Sequence, residues 1–371
     1  MNKTRFLMLG GFLGAGKTTA IARLARHYLD QGLRVALVTN DQAYGLVDTH
    51  ALRAEGFDVG EVPGACFCCK FDELVETAAA LGAEHQPDVI LAEPVGSCTD
   101  LMATVVRPLR HLFPEQYDVA PLAVLCKPEH GRKILGGGSG GFSPQAAYIF
   151  SKQLEEAQVI VLNKIDRLSA GEREELLLLL HKRFAGKRVL PVSGTTGEGF
   201  DALIEALAES SGVDDAALEI EYDTYAEGEA ALGWLNCSAR VRGDSSSTAH
   251  WPLDELVKQL VSRIRDAAVE AELEPGHVKV LAASDGLTAV ANWVASDVPV
   301  ELSVASRAEV AEADLLANVR VQADPDDLAL LVRRAIEQVA DQLGLSVAVG
   351  SLQHFRPGRP EPLHRYESAV G

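Results

Sequence analysis

The sequence predicts an α/β domain built on a doubly wound, mostly parallel sheet, followed by a smaller α+β C-terminal domain. Three observations carry this. Short, nearly continuous apolar runs such as VALVTN and VIVLN alternate with helical stretches, as expected of parallel strands covered on both faces. The first run ends in a glycine-rich turn that opens directly into a helix. Beyond residue 210, both the pattern and the charge change.

In chain order, strands are expected over Arg5–Gly10, Val35–Asn40, Val89–Glu93, Ala120–Leu125, Val159–Asn163 and Arg188–Val192. Helices are expected over Thr18–Asp30, Phe71–Leu81, Phe142–Ala157, Gly171–Phe184 and Phe200–Ser210, which completes a βαβ succession. Gly136–Gly141 (GGGSGG) reads as a mobile loop between a strand and the next helix. The polar, acidic segment Ser210–Asp223 marks the boundary, giving domains 1–212 and 213–371. In the second, strands are expected over 235–241, 277–283, 287–294, 300–304, 315–321 and 346–352, with helices over Leu253–Ala271 and Pro325–Leu343. Such a set forms a largely antiparallel sheet with one face covered.

At 371 residues, 47% hydrophobic and 23% charged, the chain is globular and about two domains long. No apolar run approaches the roughly 18–20 residues that a spanning helix needs. The amino terminus resembles a signal peptide superficially. Its apolar stretch is broken by glycines and runs into Lys17-Thr18-Thr19, so a buried strand and a cytoplasmic protein are expected. Of the net charge of −19, most lies from Val213 onward, where 13 Lys and Arg face 27 Asp and Glu. Such a surface repels phosphate backbones and anionic lipid, so neither nucleic acid nor membrane is an expected partner.

The strongest chemical signal is Gly11-Phe-Leu-Gly14-Ala15-Gly16-Lys17-Thr18-Thr19, which fits GxxxxGK[ST] between a strand and a helix. Glycines let backbone amides turn onto phosphate oxygens, helped by the helix dipole. Lys17 supplies a point charge to the β- and γ-phosphates, and Thr18 a hydroxyl ligand to Mg²⁺. Asn163-Lys164-Ile165-Asp166 follows a strand at its carboxyl end. An Asp there accepts two hydrogen bonds that guanine offers and adenine lacks, which selects GTP over ATP. Ser193-Gly194 stands where a second base-contacting loop is expected. Glu93-Pro94-Val95-Gly96 places a carboxylate for water-mediated Mg²⁺ binding and an amide for the γ-phosphate. No glutamine is placed to orient an attacking water, so intrinsic turnover is expected to be slow.

Of six cysteines, three fall in Cys66-Phe67-Cys68-Cys69, a loop-like stretch bounded by Pro63-Gly64 and Lys70. Thiolates so close suit a soft or borderline divalent ion such as Zn²⁺ or Co²⁺ and leave a fourth position open. Cys98, Cys126 and Cys237 are isolated and read as core. His354 and His364 near the carboxyl terminus read as exposed tail histidines, with completion of a metal site as the alternative.

Together GFLGAGKTT (11–19), Asn40-Asp41 with Asp48 beyond, Glu61-x-x-Gly64-x-CFCC, EPVG (93–96) and NKID (163–166) resemble the CobW family of P-loop GTPases, relatives of the UreG and HypB metallochaperones. The resemblance spans the first 210 residues with specific motifs and the carboxyl half more loosely. It implies that Lys17, Thr18 and Glu93 serve hydrolysis and that Asn163 and Asp166 read guanine. It further implies that Cys66, Cys68 and Cys69 hold a transferred ion, with Asp41, in a switch loop, as a further metal-site residue. That loop, NDQAYGLVD, departs from the family's NEFGEVGID-like pattern, and VLCKP (124–128) replaces a VVDA-like strand end. The expected function is a GTP-hydrolysing carrier that delivers zinc or cobalt to a metal-requiring client enzyme, with homodimer formation left open. The rivals are a GTP-switched binding protein with structural cysteines, an ATP enzyme and a thiol redox enzyme.

Overall fold

The computed structural model describes residues 3–42, 46–81, 86–209, 218–243 and 250–367. They divide into two compact units: Met1–Gln42, Gly56–Gly228 and Arg359–Gly371 in the first, Ala43–Glu55 and Glu229–Gly358 in the second. The expected 212/213 boundary lies outside the described residues.

The amino-terminal half runs β1 (Thr4–Gly11), α1 (Lys17–Asp30), β2 (Val35–Asp41), α2 (Val47–Ala54), β3 (Val59–Pro63), α3 (Phe71–Ala80), β4 (Val89–Glu93), α4 (Arg107–Leu112) and β5 (Tyr117–Val119). It continues through β6 (Ala123–Cys126), α5 (Pro128–Leu135), α6 (Pro144–Glu156), β7 (Val159–Leu162), α7 (Ala170–Arg183), β8 (Arg188–Pro191), α8 (Phe200–Ala208) and α9 (Tyr222–Ala230). All of these but α2 and the end of α9 belong to the first unit.

The strands form one sheet in the order β3-β2-β4-β1-β6-β7-β8, with β5 also beside β1. Every pairing is parallel. The order runs outward from β1 in both directions, so the crevice beyond its carboxyl end is the switch point where doubly wound sheets bind ligands. β1 and β4 are buried almost throughout because helices cover both faces. Helix ends are fixed locally. Ser143 accepts the Ala146 amide to start α6, and a reciprocal Ser169–Glu172 capping box starts α7.

All six strands expected in this half form, and β3 and β5 are added. One expectation is corrected. Gly136–Gly141 joins two helices rather than a strand and a helix, because Pro128 at the first position of α5 starts a turn before it. A buried π-helical segment, Met102–Val106, precedes α4.

The second unit adds β9 (Gly233–Gly243), β10 (Trp251–Pro252), α10 (Leu253–Glu270), β11 (Pro275–Ser284), β12 (Leu287–Trp293), β13 (Glu301–Val304), β14 (Glu309–Val310), β15 (Glu312–Val321), α11 (Pro325–Leu343) and β16 (Leu345–Phe355). Six of these strands make an antiparallel sheet, β13-β12-β11-β15-β9-β16. Alternation sorts its faces. Val278, Val280 and Ala282 join Leu260, Ile264, Val332 and Ile336 of α10 and α11 in one core. Leu281 and Val290 point the other way and pack with Val47 of α2. The second face is therefore also occupied, by a helix that the chain supplies some 200 residues earlier. Asn318 Oδ1 accepts the Val47 amide at 2.8 Å, and Lys279 Nζ bonds both Asp48 carboxylate oxygens at 2.6 and 2.7 Å. Among the described residues no helix is long and apolar enough to cross a membrane.

Candidate functional site

At the carboxyl end of β1 the chain turns through residues 11–16 into α1. Gly16 caps that helix in the left-handed region (φ 90°), and a Cβ there would stand 2.5 Å from Asn163 Nδ2. No other residue meets both demands. Asn163 sits so close because it staples two loops: its Nδ2 donates to the Ala15 carbonyl at 2.8 Å, and its Oδ1 accepts the Gly194 amide at 3.0 Å. Lys164 takes a left-handed conformation (φ 61°), with its Cε 3.8 Å from the same Cβ position. Ser193 Oγ donates to Asp166 Oδ1 at 2.6 Å and accepts the Thr196 amide at 3.0 Å, which sets the carboxylate's orientation. Thr19 lies against Gly194. The two segments expected to read a base are thus brought together with the glycine loop.

On the opposite side of β1, β4 delivers Glu93. Thr18 Oγ1 donates to Glu93 Oε1 at 3.1 Å, and Lys17 Nζ donates to the Gly11 carbonyl at 2.9 Å. Both Lys17 and Glu93 are buried. A Cβ on Gly96 would meet Leu13 Cδ2 at 2.6 Å, so the segment after Glu93 passes tightly against the glycine loop. Gly14 is also left-handed, and Ala15 is buried.

The cysteines form a third element. Cys66, Cys68 and Cys69 sit between β3 and α3, with sulfur separations of 2.9 Å (66–68), 3.4 Å (66–69) and 3.7 Å (68–69). Their sulfurs all lie within 4.8 Å of one another, and Asp41, His354 and His364 stand outside that group. Cys66 and Cys68 are buried and Cys69 is half-exposed. Hydrogen bonds from Cys68, Cys69 and Cys98 hold the Cys66 thiol well below its ordinary range, against burial. The Cys68 thiol is pushed up, chiefly by its bond to Cys66, and that of Cys69 to about 11 for the same reason.

Asn40, at the end of β2, organises the loop through the Phe67 amide and the carbonyls of Val62 and Ala65. The neighbouring Asp41 is buried, and its carbonyl accepts the Gly64 amide. From the carboxyl end of the chain, a strap over residues 359–367 is laced to the same place. Leu363 donates its amide to the Cys68 carbonyl at 3.0 Å, and Glu361 donates to Cys69 Sγ at 3.3 Å. Arg365 Nε reaches Asp100 Oδ2 at 2.7 Å, Tyr366 donates to the Ala103 carbonyl, and Arg107 returns to the Tyr366 carbonyl. His364 packs edge-on against Phe71 with centroids 5.0 Å apart, half-buried rather than exposed as expected of a tail. His354 is exposed on β16, 3.2 Å from Asp326.

Sequence reasoning missed three participants. The motifs assign Asn40 no task, and nothing in the sequence of residues 359–367 marks a segment laced to the cysteine loop. Cys98 was read as core, yet its side chain bonds that of Cys66. The signal for Cys98 was its place just after Glu93–Gly96.

The chain is similar to two curated zinc chaperones. It is 29% identical to YeiR of Escherichia coli (strain K12) over 193 residues, half of this chain and 54% of that protein. It is 34% identical to CobW of Sinorhizobium sp over 97 residues, 24% of this chain and 27% of that protein. It thus spans about half of the first relative's length and about a quarter of the second's. Among solved structures, Zn(II)-bound YjiA GTPase from E. coli is 15% identical with a TM-score of 0.40, covering 91% of this chain and 99% of that one. HypB from Helicobacter pylori in complex with nickel is 16% identical with a TM-score of 0.39, covering 56% and 91%. The profile of the CobW/HypB/UreG nucleotide-binding domain matches residues 5–190, half of the chain, which therefore belongs to that family.

Proposed function

We propose that this protein is a GTP-binding and GTP-hydrolysing metallochaperone that loads a divalent ion, zinc or cobalt, onto Cys66, Cys68 and Cys69 and delivers it to a metal-requiring client enzyme. The observation that carries the reading is the presence, within one unit, of a glycine loop joined to the guanine-type Asn163–Asp166 corner and of three thiols within 4.8 Å of one another. The zinc chaperones to which the chain is similar support it.

In this reading the amides of residues 14–19 and the Lys17 ammonium receive the phosphates, and Asp166, oriented by Ser193, accepts from guanine. Mg²⁺ fits the hard oxygen donors Thr18 Oγ1 and Glu93 Oε1, 3.1 Å apart, and when bound it neutralises phosphate charge. The Gly96 amide, held against Leu13, receives the γ-phosphate. Asp41, beside the Asn40 latch, passes the nucleotide state to the cysteine loop, so ion affinity rises with GTP and falls after hydrolysis. All six cysteines are free thiols, which fits a reducing cytoplasmic setting.

The burial of Cys66 and Cys68 favours one rival, a GTP-switched binding protein whose cysteines are structural. Cobalt titration of the reduced protein separates the two. With Mg²⁺ and a non-hydrolysable GTP analogue, thiolate-to-cobalt absorbance is expected to appear at lower cobalt than with Mg²⁺-GDP and to vanish in Cys66→Ala and Cys68→Ala. Equal, weak binding in both nucleotide states would leave the rival.

A further inference from the structure

We propose that the backbone amide of Glu361 is part of the metal site, donating a hydrogen bond to the Cys69 sulfur while that sulfur holds the ion. The proposal rests on the metal-carrier reading above and deepens it.

The Glu361 nitrogen lies 3.3 Å from Cys69 Sγ, and Cys69 is the half-exposed member of the three-thiol group. The sequence restricts the donors. In Pro360-Glu361-Pro362-Leu363 the prolines have no N–H, so only residues 361 and 363 can donate. Both amides are used on the cysteine loop, Glu361 on the Cys69 sulfur and Leu363 on the Cys68 carbonyl at 3.0 Å. Each proline also favours an extended residue before it, and in extended chain alternate amides face the same way. The strap is pinned on both sides of this point. Before it, Arg359 Nε pairs with Asp223 Oδ1 at 2.8 Å. After it, Arg365 Nη2 donates to the Leu218 carbonyl at 2.9 Å, and Arg365 Nε shares the buried Asp100 Oδ2 with the Tyr222 hydroxyl. Among the described residues the Glu361 carboxylate stands outside the group of ligand atoms within 4.8 Å of one another, so the amide, not the side chain, reaches the site.

The chemistry follows from the charge of a loaded site. Three thiolates around a divalent ion carry one net negative charge, and each bound sulfur keeps lone pairs facing outward. An N–H aimed at one of these sulfurs makes a charge-assisted bond, which stabilises the loaded, deprotonated site over the unloaded one. The donor sits on the segment that follows β16, not on the cysteine loop itself. Lifting the strap therefore weakens the hold on the ion without breaking a metal–sulfur bond. Cys69 is the sulfur whose hold loosens, and as the half-exposed one it is open to a client's ligand.

The test compares wild type with Glu361→Pro, which deletes the N–H, and Glu361→Ala, which keeps it and deletes the carboxylate. Each full chain is titrated with Co²⁺, and with Zn²⁺ against a chelator, in Mg²⁺ and a non-hydrolysable GTP analogue. A hydrogen bond lowers the energy of the sulfur electrons. Glu361→Pro is therefore expected to move the thiolate-to-cobalt band to longer wavelength and to bind zinc about tenfold more weakly. Glu361→Ala should match wild type in both. A Glu361→Pro variant equal to wild type in band and affinity would overturn the proposal and leave the metal-carrier reading standing. No thiolate-to-cobalt band in wild type would remove both. Wild type loaded with ¹¹³Cd²⁺ decides the matter even where Glu361→Pro does not fold. Scalar coupling between the Glu361 amide proton and the cadmium nucleus is expected through the shared sulfur, and its absence with cadmium on the thiolates would overturn the proposal.

Discussion

The amide of Phe67 donates to Asn40 Oδ1 at 2.9 Å, inside a ring completed by Asn40 Nδ2 on the carbonyls of Val62 (2.6 Å) and Ala65 (2.7 Å). One side chain at the end of a central strand thus satisfies three backbone groups of the loop that bears the thiols. Asn40→Ala leaves those groups without their partner. At about 1 kcal/mol for each hydrogen bond it is expected to lower stability by about 3 kcal/mol in urea denaturation. It should also speed modification of Cys66 and Cys68 by a thiol reagent under native conditions. Unchanged stability together with an unchanged modification rate would show that the ring does not hold the loop.

Base choice is tested at Asp166, whose Oδ1 accepts from Ser193 at 2.6 Å. Asp166→Asn replaces one acceptor by a donor. GTP affinity is expected to fall by on the order of 10²-fold or more, while xanthosine triphosphate, which carries an oxygen in place of the 2-amino group, gains. Isothermal titration with the two nucleotides measures both. A variant that keeps its preference for GTP would remove Asp166 from the base site.

Metal affinity is expected to depend steeply on pH. Cys68 and Cys69 hold their protons above the ordinary thiol range, Cys69 up to about 11, while Cys66 gives its proton up readily. Near neutrality the ion must displace the protons of the first two. These two thiols alone should make the logarithm of the affinity rise by about two per pH unit between pH 6 and 8. Competition titration with a chelator across that range reads the slope, and a flat profile would contradict the assignment of these thiols as ligands.

Glu156 is fully sequestered, bonded to Thr99 Oγ1 and the Met102 amide, and burial pushes its carboxyl up to about 8. The folded chain keeps this proton in a range where the unfolded chain releases it. The contribution to stability is complete below about pH 4.5 and is lost as pH rises towards 8. Glu156→Gln, a mimic of the neutral acid, is expected to flatten the fall in melting temperature over that window. Parallel melting curves for wild type and variant across pH 5–8 would contradict it.

What could be read in the sequence was what repeats or what chemistry forces. β1, β4 and β7 announce themselves because strands buried on both faces are apolar throughout. The Gly16-Lys17-Thr18 turn announces itself because few residue types tolerate that backbone. β3 was missed because VGEVP, a strand at the edge of the sheet, alternates too briefly to stand out. α2 is only eight residues long, and its partners, Leu281 and Val290, lie more than 200 residues away, a distance no local pattern spans. The strap over 359–367 was illegible for a different reason. Its links to Cys68 and Cys69 run through backbone amides, which every residue but proline possesses.

That strap has a consequence for biosynthesis. Glu361 follows Cys69, to which its amide bonds, by 292 residues. At about 5–20 residues per second, a ribosome takes roughly 15–60 s to cover that interval. The amino-terminal sheet can pair its strands long before then, whereas the thiol loop gains these two hydrogen bonds only after the whole second unit has emerged. The strap's bonds to the thiol loop are thus among the last contacts of the amino-terminal unit to form.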